Sequence, residues 1–243
     1  MARFKLVLEY AGTRYSGWQI QKNARTVAGE LERAIREVTK AKKLEVYGSG
    51  RTDAGVHAIA QVAHLDVATT LPPETLRRRV NDELPADINI LAVETVSHRF
   101  HARHDATGRR YLYQIAKRRT AFHKPFVWWV RDDLDLARMR EAAALFTGLQ
   151  DFRSFTDDEP EEKSTKVQVE RIEISERDDL ILIRIDGSHF LWKMVRRIVG
   201  VLVEAGRGAL TAAEIRKMLS EASGTPARLT APASGLFLEQ VLY

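Results

Sequence analysis

A chain of 243 residues, 44% hydrophobic and 29% charged, has the composition of a soluble globular protein and is long enough for one large domain or two small ones. It contains no cysteine, which excludes a disulfide framework and a thiolate metal site and is compatible with a reducing cytoplasm. The net charge of +5 is modest, so its distribution matters more than its size.

The first apolar run is too short and too interrupted for a signal peptide, and no stretch approaches a membrane span, so a cytoplasmic protein with no membrane partner is expected. Arg3 to Tyr10 alternates as a strand, with Phe4, Leu6 and Leu8 on one face. Thr26 is placed to cap a helix over Gly29 to Val38, where Leu31, Ile35 and Val38 share a stripe. Leu44 to Tyr47 reads as a short strand entering a glycine-rich loop, and Ala58 to Val67 returns as a strand. Pro72 and Pro73 open a helix reaching about Leu84, and Asp87 to Val96 is a further strand.

The second half repeats this rhythm loosely. Arg110 to Ala116 reads as a strand and Leu134 to Thr147 as a helix. Lys166 to Ile174 and Leu180 to Ile185 form a hairpin with Asp178 and Asp179 near its turn. Helices are expected over Leu191 to Ala205 and Ala212 to Glu221, a connector over Gly224 to Ala233, and a closing strand over Leu236 to Leu242. The acidic run Asp157-Asp158-Glu159-Pro160-Glu161-Glu162 is expected to repel itself and form a mobile surface loop away from any phosphate path. Two α+β halves whose strands meet in a shared sheet fit this order.

Between Arg99 and Lys124 stand Arg99, Arg103, Arg109, Arg110, Lys117, Arg118, Arg119 and Lys124 against a single acid, Asp105. Phe100, Tyr111, Tyr113 and Phe122 are interleaved with them. Cations for phosphates and aromatic faces for unpaired bases suit nucleic-acid binding. The same composition also suits a solvated basic surface over core aromatics. His98, His101 and His104 have ligand-like spacing, but Arg99 and Arg103 among them repel a cation, so no metal site is expected.

The most informative segment is Gly48-Ser49-Gly50-Arg51-Thr52-Asp53-Ala54-Gly55-Val56-His57. Small residues surround one arginine and one carboxylate, so a substrate can approach the backbone closely. A nucleophilic carboxylate must stay ionised while shielded from water, and a neighbouring guanidinium opposes the upward pKa shift of burial. The same residues also suit a solvated turn with an incidental ion pair. On the helix from Leu191, Arg196 falls at the border of the apolar face, while Lys193 and Arg197 point further towards the polar side. That border position suits either a snorkelling surface arginine or one presented to a carboxylate.

Gly50 to Ala58 resembles the active-site loop of the tRNA pseudouridine synthase A family. Further matches follow in order along the whole chain. Tyr15 to Gln21 resembles the family's N-terminal motif and Thr26 to Glu32 the start of its first helix. Phe100-His101-Ala102-Arg103 with Arg110-Tyr111-Leu112-Tyr113 resembles the central motif. Phe190 to Arg196 and Gly235-Leu236-Phe237-Leu238 resemble the two C-terminal ones. Trp192, where many relatives carry tyrosine, and Lys193 after it are departures that leave the nucleophile assignment untouched.

The resemblance implies an α+β pseudouridine-synthase fold, with two α/β lobes sharing a mixed, largely antiparallel sheet around a central cleft. Residues 1–105 would form the lobe carrying the aspartate loop and 106–243 the lobe completing the cleft. It implies an RNA-modifying isomerase that converts uridine to pseudouridine at positions 38, 39 and 40 of the tRNA anticodon stem-loop, acting as a homodimer without cofactor or metal. Asp53 would be the catalytic aspartate, attacking ribose C1′ or removing the C2′ proton. Arg196 would pair with it, and Arg51 would contact the RNA or hold the target nucleotide out of its helix. Tyr111 would stack on the uracil, and Leu238 would line the pocket, although core packing also explains both. Arg103, Arg109, Arg110, Lys117 and Arg118 are candidates for the tRNA backbone. Tyr113 reads as structural, and so does His57 in preference to a general base. The other readings are a non-catalytic tRNA-binding or folding module, and a synthase with a different target uridine.

Overall fold

The structure is a computed structural model that describes residues 1–158 and 164–243. In chain order the elements are β1 (Ala2–Tyr10), α1 (Val27–Thr39), β2 (Leu44–Gly48), β3 (His57–Val67), α2 (Pro73–Glu83), β4 (Ile88–Thr95), β5 (Gly108–Ala116), β6 (Trp128–Trp129), α3 (Leu136–Ala144), β7 (Gly148–Asp151), β8 (Lys166–Arg177), β9 (Leu180–Gly187), α4 (Met194–Gly206), α5 (Ala212–Ser220), α6 (Thr225–Arg228) and β10 (Leu236–Leu242). They form two compact units: Met1–Thr107 with Phe237–Tyr243, and Gly108–Leu236. The fold is α+β with largely antiparallel pairing, as expected.

In the first unit β1 lies antiparallel between β3 and β4. Its alternating Phe4, Leu6 and Leu8 are buried, which is what period-two patterning requires. Strand β3 changes partner along its length: His57 and Ala58 pair in parallel with Phe237 and Leu238 of β10, while Ala63 to Val67 pair with β2. Since β2 ends opposite Ala63, the chain must cross six residues of β3, about 20 Å, before β3 begins. The segment 49–56 is therefore a wide connection and not a hairpin. Thr26 caps α1 by accepting a hydrogen bond from the Gly29 amide at 3.2 Å. Helix α1 packs on α2 and β2, and α2 on β4.

In the second unit β5, β9, β8 and β7 form an antiparallel series, with β6 parallel to β5. The β8–β9 hairpin turns on Asp178 and Asp179. Asp178 has φ 53°, a left-handed conformation that aspartate tolerates. Helix α3 packs on α4, α5 and β8. Phe146, Phe152 and Phe155 make a buried cluster, with Phe155 edge-on to the other two.

Around α4 and the acidic run the structure differs from the sequence reading. Helix α4 starts at Met194 instead of Leu191, because Lys193 takes a left-handed conformation with φ 62°. Arg197, expected towards the polar side, is only 4% exposed, because the Asp157 carboxylate lies against its guanidinium and also accepts from Lys193 Nζ at 2.7 Å. These cations hold the Asp157 carboxyl below its usual range, Lys193 most strongly. The start of the acidic run is thus tied down: Asp158 Oδ2 also accepts from the Trp192 amide at 3.0 Å. Glu159, Pro160, Glu161 and Glu162 lie outside the described residues.

Buried His64 on β3 makes the first unit sensitive to pH. Its Nδ1 accepts from the Ala102 amide at 3.2 Å, and its ring stacks on Tyr47 and meets His101 edge-on. Burial, aided by the nearby charge of Arg3, depresses its pKa to about 4. Protonation also sets a second donor against the Ala102 N–H. Between about pH 4 and the unfolded value near 6.5 the unfolded chain binds more protons, so stability rises with pH across that window and is complete above it. Urea unfolding should show a loss of about 2 kcal/mol between pH 7 and pH 5. His64→Asn, which keeps an acceptor in place of Nδ1, should flatten that slope; an unchanged slope would contradict this assignment.

Candidate active site

The loop between β2 and β3 is held by contacts from the segment 10–18. Tyr10 Oη lies 2.8 Å from Thr52 Oγ1, and the Trp18 amide donates to Thr52 O at 3.0 Å. The Gly55 amide donates to Tyr15 O at 3.3 Å, and the Val56 amide to Asp53 O at 3.1 Å. Burial pushes the Tyr10 phenol up to about 12, so it remains a neutral hydrogen-bonding group.

Two glycines make this approach possible. A Cβ on Gly17 would lie 2.5 Å from Thr52 O and 3.1 Å from the Asp53 carbonyl carbon, and Gly17 also sits at φ +90°. A Cβ on Gly12 would lie 1.9 Å from Val56 O. The N-terminal motif is therefore a backbone-to-backbone brace for the loop. His57 completes it: buried and stacked on Phe237 at 4.7 Å, it accepts from the Gly12 amide at 3.0 Å through Nδ1.

Sequence reasoning missed Gln61 on β3. Its Oε1 accepts from Ser49 Oγ at 2.7 Å, and its Nε2 donates to Gly50 O at 3.1 Å. A glutamine between Ala60 and Val62 in a largely apolar strand is the signal that was available; buried here, the amide must find partners. The loop so formed leaves Asp53 half-buried and Arg51 exposed. Among the described residues Arg51 makes no hydrogen bond or ion pair. Leu238 is buried beside the loop's exit, opposite Ala58.

In the second unit Tyr111 stands on β5 opposite Ile185, half-buried, with its ring edge-on to Phe190 at 5.2 Å. Ala231 clasps Arg196 on α4 twice. The Arg196 Nε donates to Ala231 O at 2.7 Å, and the Arg196 carbonyl accepts from the Ala231 amide at 3.0 Å. Gly200, one turn on, admits this segment: a Cβ there would lie 1.7 Å from Leu229 O. The guanidinium plane of Arg196 is thereby fixed. Tyr113, beside it on β5, is a core residue whose Oη donates to Pro232 O at 2.8 Å.

The basic candidates divide. Arg110 makes two hydrogen bonds to Asp186, at 2.6 and 3.1 Å, and Arg109 donates to Ser188 O at 3.0 Å. Lys117 pairs with Glu176 and Arg118 with Asp179. Arg103 is exposed, in the first unit. The His101 ring is engaged through Nδ1 by the amides of Arg103 and His104. Among the described residues no group of three or more His, Cys, Asp or Glu is placed to hold a metal ion.

A half-buried carboxylate on a braced loop can act as nucleophile or base towards a substrate that approaches its glycines. The family model described as tRNA pseudouridine synthase matches residues 6–105 and 142–243. The tRNA pseudouridine synthase A 2 of Clostridium tetani is 38% identical over 248 residues, covering 100% of both chains. The tRNA pseudouridine synthase A of Aquifex aeolicus is 37% identical over 244 residues, also covering 100% of both. That of Agrobacterium fabrum is 38% identical over 248 residues, covering all of this chain and 93% of its own. Fold, loop and likeness together describe an RNA-modifying isomerase. The chain belongs to the tRNA pseudouridine synthase family. Asp53, Arg51, Arg196 and Leu238 fall within the matched segments; Tyr111, Arg109, Arg110, Lys117 and Arg118 lie between them.

The brace makes a direct prediction. Gly17→Ala should move the Thr52–Asp53 backbone and lower turnover on the order of 10²-fold, the cost of misplacing a reacting group by about 1 Å. Gly50→Ala, whose Cβ would meet nothing within 4 Å, should leave the melting temperature unchanged. Equal turnover in wild type and Gly17→Ala would show that the brace is irrelevant to the chemistry.

Proposed function

We propose that this chain converts uridine to pseudouridine at positions 38, 39 and 40 of the tRNA anticodon stem-loop, with Asp53 as nucleophile. The observation that carries this reading is the half-buried Asp53 on a loop locked through Gly17 and Thr52. Likeness along the whole chain to proteins named tRNA pseudouridine synthase A supports it.

The Asp53 carboxylate attacks ribose C1′, and uracil N1 leaves with the electrons of the broken bond. The uracil turns, C5 forms a bond to C1′, and the carboxylate is released. The C5 proton is lost and N1 gains one, so the product is an isomer of the substrate and no redox partner is consumed. Arg196 pairs with the Asp53 carboxylate. Tyr111 stacks on the uracil, and Leu238 lines the pocket. Arg51 occupies the space left by the extruded nucleotide, offsetting a cost of about a few kcal/mol in lost stacking. The lobe 1–105 brings the aspartate loop, and the lobe 106–243 completes the cleft. Arg103, Arg109, Arg110, Lys117 and Arg118 hold the tRNA backbone, and the enzyme acts in the cytoplasm as a homodimer. No helix among the described residues is long and apolar enough to cross a membrane.

Asp53→Asn should keep the melting temperature and tRNA affinity of the wild type while losing turnover on the order of 10³-fold or more. Mapping pseudouridine in anticodon-arm transcripts by chemical modification reads both activity and target. Normal turnover in Asp53→Asn would remove the nucleophile assignment; modification away from positions 38 to 40 would change the target.

A further inference from the structure

The stretch from Arg119 to Val130 reads Arg-Thr-Ala-Phe-His-Lys-Pro-Phe-Val-Trp-Trp-Val and contains no acid. It lies between the two segments that match the family. The cations just before it, Lys117 and Arg118, are paired with Glu176 and Asp179. Arg119 and Lys124, by contrast, have no carboxylate partner among the described residues. Phe122 is 91% exposed between them. The Arg119 guanidinium lies 5.9 Å from the ring centre of Trp129, which is itself 41% exposed.

Slack in the chain does not explain this exposure. The Phe126 amide donates to His123 O at 2.8 Å, and the His123 amide to Thr120 Oγ1 at 3.3 Å. Ser234 Oγ donates to Val127 O at 3.1 Å, and the Val130 amide to Ala116 O at 3.2 Å. Trp128 pairs with Ile115 and sets its ring edge-on to buried Tyr113. The segment is thus anchored at both ends, and it holds a phenyl ring in water between two uncompensated cations. A polyanion with exposed ring faces satisfies all three groups at once, which an apolar protein surface does not. The strand fixes the distance: Ala116 is five residues from Tyr111, about 17 Å along β5.

We propose that Arg119–Trp129 is a second RNA-contact surface, removed from the reacting nucleotide, which holds an unpaired nucleotide of the substrate. Phe122 stacks on its base, and Arg119 and Lys124 take the adjoining phosphates. This rests on the reading of tRNA as substrate and adds to it a contact that tightens binding without touching the reacting atoms.

The test uses the whole chain and an unmodified tRNA transcript. Affinity is read by fluorescence anisotropy over a salt series, and KM and kcat by pseudouridine formation. Phe122→Ser should raise Kd and KM about 10-fold, the lower part of the range for one lost base stack, with kcat within about twofold. Phe122→Trp should restore both constants. Arg119→Gln with Lys124→Gln should flatten the salt dependence by about 1.4–1.8 in slope. Unchanged Kd and KM in Phe122→Ser would overturn the proposal. So would a change in oligomeric state by sedimentation velocity, which would make the loop a contact between copies of this chain. A wild type that binds the transcript without modifying it defeats the functional reading but leaves the affinity arm to decide. A wild type that neither binds nor modifies it overturns both.

Discussion

The close approach of Gly17 to the backbone of Thr52 and Asp53 is the constraint on which the path of the loop, and with it the proposed chemistry, depends. A side chain at residue 17 and the observed path of the loop cannot coexist, because the added carbon would sit 2.5 Å from a carbonyl oxygen. Thr52 is then held twice more, by Tyr10 at its hydroxyl and by the Trp18 amide at its carbonyl. The next residue is Asp53. A group that must meet an attacked carbon within a fraction of an ångström gains most when its own backbone has little freedom left to lose.

The second unit holds Arg196 by the same means. Gly200 lets Leu229 O approach α4, and Ala231 then fixes Arg196 through both its side chain and its carbonyl. Asp157 serves Arg197 differently. A guanidinium buried at the start of a helix needs a carboxylate, and the chain supplies one from 40 residues away. Removing that carboxylate would leave the charge buried and unpaired, a loss of about 3–5 kcal/mol. Neighbouring arginines on one helix thus have separate duties, one in the fold and one in the proposed chemistry.

Local signals gave the elements and the glycine-rich loop. Alternation in β1, the Thr26 cap of α1 and the closing strand β10 are each written in a few adjacent residues. Asp53 and Arg51 stood out as candidates because a carboxylate and a guanidinium among glycines form a short pattern that also resembles the family's active-site loop. What supports them did not, because Gly17 and Thr52 are 35 residues apart and each is unremarkable alone. Helical periodicity misplaced Arg197 for the same reason: the pattern records which way a side chain points, not that a distant acid waits there. The sequence also grouped Lys117 and Arg118 with Arg119 and Lys124, a distinction drawn only by the acids of β8 and the β8–β9 turn. Gln61 could have been noticed as a polar residue within a largely apolar strand, where an amide facing the core requires partners.

Site-resolved hydrogen exchange on the free protein tests most directly whether the aspartate loop is held before any RNA arrives. The amides of Trp18, Ser49, Gly55 and Val56, which donate to Thr52 O, Val62 O, Tyr15 O and Asp53 O, should exchange about as slowly as the interior amides of β3. Exchange at these four positions as fast as in an exposed loop would contradict a braced loop around Asp53.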